Sequence, residues 1–186
     1  MFMQDLMLDL ETLGLNYDAP IISIGAVFFD LQTSTLGAEF YIVIDVASSA
    51  EKTVIDADTV KWWMRQSSEA QSIFNDPAAV SLNTGLQSFS AFIHNNCESP
   101  KKLRVWGNGC TFDNVLLREA YKANRQAVPW SSFYDRDVRT MVNLAEELTS
   151  QNVKDLVKRE GTHHNALDDA KYQAQYVCEA YKLCKN

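Results

Sequence analysis

The chain has 186 residues, 46% of them hydrophobic, which suits a single domain with a sizeable core. Lys and Arg total 17 against 24 Asp and Glu, a formal charge of -7 that excludes a broad, sequence-independent grip on duplex phosphates and makes any nucleic-acid contact local. No apolar run approaches the roughly 20 residues that cross a bilayer, the start Met1-Phe2-Met3-Gln4-Asp5 carries no basic leader, and Cys97, Cys110, Cys178 and Cys184 show no CxxC spacing. The expectation is a cytoplasmic protein in reducing surroundings, with no membrane partner.

Met3 to Leu10 reads as a strand, and Ile21 to Asp30 as a second one, apolar enough to be buried on both faces. Turn residues Leu31 to Thr35 lead into Leu36 to Ile44, where Phe40, Ile42 and Ile44 alternate with Tyr41 and Val43, so the first three strands form an antiparallel meander. Asp58 is expected to cap a helix containing Val60, Trp63 and Met64, and Asn83 or Thr84 a helix containing Leu86, Phe89, Phe92 and Ile93. Trp62 and Trp63 are assigned to the core, because adjacent helical positions cannot share a groove; at most one is left to stack on a base. Leu103 to Trp106 is a short strand ended by Gly107-Asn108-Gly109, and Thr111 opens a helix with Val115, Leu116, Leu117 and Tyr121. A helical crossover makes that fourth strand parallel to the first. Val138 to Leu148 and Ala166 to Leu183 supply two more helices. The fold class is α/β: a mixed sheet of about five strands flanked by helices, in one domain over 1–186.

Asp9 and Glu11 stand two apart at the end of the first strand, so both carboxylates share a face and can share a cation. By itself, Asp-x-Glu is also how an ordinary strand meets a solvated turn. Asp113 lies in the first turn of its helix, where an acid also complements the helix dipole. What separates it from that role is topology, since groups at the carboxyl ends of neighbouring strands converge on one crevice. Asn165 can cap the last helix, which puts Asp169 in its first turn and His164 just before it. A neutral imidazole suits the removal of a proton from water near neutral pH. His163 reads as an exposed loop residue, and Asp168 as a solvated neighbour of Asp169.

Asp9-Leu10-Glu11-Thr12, Phe112-Asp113 and His164-x-Ala166-Leu167-x-Asp169 resemble the three motifs of the DEDDh 3'-5' exonuclease superfamily, which has a ribonuclease H-like fold. The histidine stands five residues before the last aspartate, and Asn165 fills the place where the tyrosine branch has Tyr. Thr59 to Ser67 and Trp106 to Asp113 are similar to the phage exodeoxyribonuclease and exonuclease VIII group, which also holds a mycobacterial adenylate-preferring exoribonuclease. The resemblance spans about positions 5 to 184. It implies that Asp9, Glu11 and Asp169 hold one Mg²⁺ or Mn²⁺, that Asp9 touches a second, and that Asp113 completes the site partly through water. It further implies that His164 deprotonates the attacking water and that nucleoside 5'-monophosphates leave a single-stranded 3' end, DNA slightly ahead of RNA. Thr12 and Leu13 are expected at the terminal sugar and base, with Trp106 or Asn108 lining the pocket. Two other classes compete. A catalytically silent binding adaptor has no need of four mutually repelling carboxylates, and a zinc hydrolase lacks HExxH, HxE or paired Cys spacing. The sequence leaves a homodimer open.

Overall fold

The computed structural model describes residues 3–185; Met1 and Phe2, at the start read for a leader, lie outside them. β1 (Asp5–Thr12), β2 (Ile21–Asp30) and β3 (Thr35–Val43) pair antiparallel, the β2–β3 hairpin closing through the turn residues at 31–35. The helices that follow, α1 (Val46–Ala50), α2 (Ala57–Trp63), α3 (Ser68–Gln71) and α4 (Leu82–Asn96), precede β4 (Arg104–Gly107), which pairs parallel with β1. α5 (Asp113–Ala123), β5 (Asp135–Asp137), α6 (Val138–Thr149) and α7 (Ala166–Lys185) complete the described chain. The sheet order is β3-β2-β1-β4-β5, with β5 parallel to β4.

β1 splits the core by its period of two. Leu6, Leu8 and Leu10 pack under α4 and α5 with Phe28, Phe89 and Tyr121, whereas Met7 packs on the other face with Phe29, Trp106 and the apolar stripes of α6 and α7. Asp5, Asp9 and Glu11 share the Met7 face. A third cluster joins Leu13 and Ile22 to Trp63 and Ile73. Among the described residues, no helix is long and apolar enough to cross a membrane, and all four cysteines are free thiols.

Several local expectations shift. Asp56, not Asp58, caps α2, accepting the Asp58 N–H at 2.9 Å, and Ser81, not Asn83 or Thr84, caps α4, accepting the Thr84 N–H at 3.2 Å. In both cases the cap is the residue whose backbone is still extended, one step before the first helical turn. α5 opens at Asp113 rather than Thr111, because residues 108–112 form a turn. β5, whose three residues are Asp-Arg-Asp, has no apolar pattern from which to be read.

Candidate active site

The site forms where β1, the turn after β4, and the start of α7 meet. Glycine makes the meeting close. Gly25 pairs with Asp9 across β1 and β2, and a Cβ on it would lie 2.1 Å from the carbonyl carbon of Ala166. Only a bare backbone there lets the first turn of α7 settle onto the sheet beside Asp9. Asn165 caps that turn, accepting the N–H groups of Leu167 and Asp168 at 3.1 and 3.2 Å. His164 takes a left-handed backbone, φ 65°, an unusual conformation for a side chain of this size. The turn aims its backbone N–H at Asp169 Oδ2, 3.1 Å away, so the imidazole and the carboxylate reach the cleft together.

One oxygen or nitrogen from each of Glu11, His164 and Asp169 lies within 4.8 Å of the others. Asp9 is held by the Gln173 amide, which donates to Oδ1 at 2.7 Å from one helical turn beyond Asp169. Asp113 stands behind, 4% exposed, accepting the Leu10 N–H at 3.2 Å. Asp9, Glu11, His164 and Asp169 line a cleft of about 310 Å³ together with Asn108, Arg159, Lys154, Tyr172 and Gln173. Arg159 forms an ion pair with Asp169.

Burial and mutual repulsion govern the electrostatics. Burial, then the charges of Asp113, Glu11 and Asp169, holds the Asp9 carboxyl well above the usual range. Burial, then Asp169 and Asp113, pushes Glu11 up to about 8, with Arg159 opposing. Burial raises Asp113 to about 7 against the Leu10 N–H. Burial lowers His164, so its imidazole is neutral at neutral pH despite the opposing charge of Asp169. Carboxylate oxygens clustered beside a neutral imidazole and short of countercharge fit a hard divalent cation. The cation would supply the charge whose lack raises these carboxyls.

The residues expected at the substrate divide. Asn108 lines the cleft and a further groove of about 750 Å³ over α6, shared through Lys154 and Tyr176 and bordered by Arg139. Thr12 lines a neighbouring hollow of about 420 Å³ with Glu11, Leu15 and Trp62. Leu13 turns away into the third core cluster, and Leu15, 76% exposed, stands at the hollow instead. Trp106 is 3% exposed, donating its indole N–H to Asp5 at 2.8 Å, and does not reach the cleft. Trp63 is core, but Trp62 is not: it is 39% exposed, with the His164 ring edge-on at 4.7 Å. Gln173 and Arg159 were not legible as site residues. The i, i+4 step from Asp169 could have found Gln173, whereas Arg159 sits in an aperiodic segment with no such signal.

Carboxylates from β1, α5 and α7 around one histidine, on a mixed five-stranded sheet, define a nuclease of the DEDDh class with a ribonuclease H-like fold. The chain belongs to the 3'-5' exoribonuclease Rv2179c-like domain family, whose profile matches residues 4–181, and it is thereby a 3'-5' exonuclease. It is 25% identical over 161 residues to an exodeoxyribonuclease of Enterobacteria phage T4, covering 75% of this chain and 71% of the relative. Its fold is similar to the nuclease domain of 3'hExo, a DEDDh family member solved bound to rAMP, with a TM-score of 0.67, 14% identity, and 97% and 92% of the two chains covered. It is also similar to Pop2p of S. pombe, solved with Mg²⁺ and Mn²⁺, with a TM-score of 0.64, 12% identity, and 95% and 82% covered.

Proposed function

We propose that this protein removes nucleoside 5'-monophosphates one at a time from single-stranded 3' ends, using two divalent ions, Mg²⁺ or Mn²⁺. The observation that carries the reading is the cleft itself, where the carboxyl groups of Asp9, Glu11 and Asp169 crowd beside a neutral His164. When bound, the ions supply Lewis-acid neutralisation of the phosphate and of the departing oxygen. Asp9, Glu11 and Asp169 would hold them, with Asp113 completing the set from behind. His164 accepts the proton of the attacking water as its oxygen bonds to phosphorus. The bond to the 3' oxygen of the preceding nucleotide breaks, and that oxygen is reprotonated from solvent. Gln173 fixes Asp9 through its amide. The terminal base has an aromatic face in Trp62, beside Thr12 and Leu15, and stacking of this kind tolerates every base. The strand upstream has the groove past Asn108 toward Arg139.

DNA is the preferred polymer in this reading, supported by the phage exodeoxyribonuclease relative. The description of the family favours RNA as the second reading. The net charge of -7 repels a polyanion at long range, which supports single strands over duplex and weak processivity. A cytoplasmic setting agrees with four unpaired cysteines. The test is initial rates on matched 5'-labelled single-stranded DNA, RNA and blunt duplex, with and without EDTA. Full hydrolysis by metal-stripped enzyme in excess chelator would sink the mechanism. A strong preference for blunt duplex would sink the substrate, and faster RNA cleavage would overturn only the preference for DNA.

A further inference from the structure

Arg159 is the cleft's unexplained cation. It lies in the irregular segment before α7, and its guanidinium pairs with Asp169 Oδ1 through one Nη. It packs over the Tyr172 ring, 5.1 Å from the centroid, while its Nε is buried with no hydrogen-bond partner. The other oxygen of Asp169 takes the His164 N–H. One segment, 159–164, therefore engages both oxygens of the carboxylate that clusters with Glu11 and His164.

We propose that Arg159 is a displaceable stand-in for a divalent cation at Asp169, and that the arriving ion releases it to grip the phosphate of the terminal nucleotide. The exchange follows from charge and geometry. A divalent ion held by Glu11 and Asp169 would compete with the guanidinium for Asp169 and would repel it, and in a partly buried cleft that repulsion is weakly screened. The guanidinium gives up an incomplete arrangement, since its buried Nε–H has no partner there. A phosphate offers two oxygens to the Nε and Nη edge, a bidentate match that the single contact with Asp169 does not provide. The Tyr172 ring can support the guanidinium plane through the swing. Among the described residues, Arg159 and Lys154 are the cations that line the cleft beside its carboxylates, so Arg159 also offsets part of their mutual repulsion. The identity of the phosphate rests on the function proposed above; the exchange at Asp169 does not.

The experiment is a Mg²⁺ and Mn²⁺ titration of EDTA-stripped protein, followed by calorimetry and thermal shift, for wild type, Arg159→Gln and Arg159→Lys. In Arg159→Gln the midpoint should fall at least about fivefold, as expected when a coupled competitor is removed, with Arg159→Lys in between. In Ca²⁺, the same Gln variant should bind 5'-AMP about tenfold more weakly than wild type and adenosine equally well, a difference of one phosphate contact. A midpoint that rises in Arg159→Gln would overturn the proposal, because it would mean that Arg159 steadies Asp169 for the ion. Unchanged 5'-AMP affinity would overturn it too. Should the variants fail to fold, the arginine Nε–Hε resonance of the wild type decides: it should move on Mg²⁺ addition and again with 5'-AMP, and immobility overturns the exchange. A protein that shows the exchange but cleaves no nucleic acid would support this inference and contradict the proposed function.

Discussion

Asp5 and Asp9 lie on the same face of β1 with Met7 between them, and the fold treats them in opposite ways. Asp5 is 2% exposed and fully answered: Arg104 donates Nε at 2.6 Å and an Nη, and Trp106 donates Nε1 at 2.8 Å. Asp9 has one amide, from Gln173, and faces Glu11, Asp113 and Asp169. A buried charge with its partners in place is architecture, and a crowd of like charges without partners is stored demand for a cation. The strand thus uses the same side chain to lock its first end and to leave its last end short of countercharge.

Exchanging charge for amide at each end separates the two roles. Asp9→Asn should cost about 10³-fold or more in turnover, read as released mononucleotide, if Asp9 is the shared ion ligand proposed above. In EDTA the same variant should melt higher than wild type, since a source of repulsion is gone. A lower melting temperature in EDTA would mean that Asp9 is structural after all. Asp5→Asn should do the reverse. It leaves Arg104 facing a neutral group and should destabilise by about 3 kcal/mol, near the low end for a broken buried pair because Arg104 reaches solvent. That corresponds to a melting temperature lower by roughly 6–12 °C. Turnover per folded molecule should stay near wild type, and a selective loss of turnover would break the comparison.

The histidines sharpen it on a smaller scale. His164→Ala should lower turnover by about 10²-fold, the usual size of general-base assistance, and leave the ion titration midpoint close to wild type. His163→Ala, at an exposed position, should leave both nearly unchanged. Interchangeable effects of the two would mean that the left-handed turn at His164 does not select which ring enters the cleft.

The sequence carried the reactive end better than the locked end. Asp9 and Glu11 follow an apolar strand with period two, and Asp169 follows a capped helix start, so both patterns reach the right face without tertiary information. Asp5 also sits on that face, but its partners Arg104 and Trp106 come from a strand about 100 residues away whose register only the fold sets. The same limit misplaced Trp106 into the cleft. Which of Trp62 and Trp63 stays outside the core was left open for a local reason: one helical step turns a side chain about 100°, enough to put Trp63 in the core and Trp62 against His164. β5 was unreadable because its three residues are held by pairing with β4 rather than by burial of an apolar face. Gly25, which lets α7 approach, looks like any glycine until the helix is in place.

The subtlest expectation concerns how stability follows pH when no ion is present. In the folded, ion-free protein Glu11 binds its proton up to about pH 8 and Asp113 up to about 7, against ordinary values of 4.5 and 3.8. Between those limits the native state holds protons that the unfolded chain has released, so protonation favours folding. The contribution of these groups is therefore complete below about pH 4 and is lost as pH rises through 7 to 8. Wild type in EDTA should show a urea midpoint that falls from pH 5 to 9, and Glu11→Gln should flatten that fall, so the difference between the two isolates the reactive end from every other titrating group. Saturating Mg²⁺ should flatten it as well, because an ion that replaces the proton as countercharge stabilises the ionised carboxylates more as pH rises. A midpoint difference that stays constant across this range would show that Glu11 is not crowded by its neighbours, and the contrast between the two ends of β1 would lose its electrostatic basis.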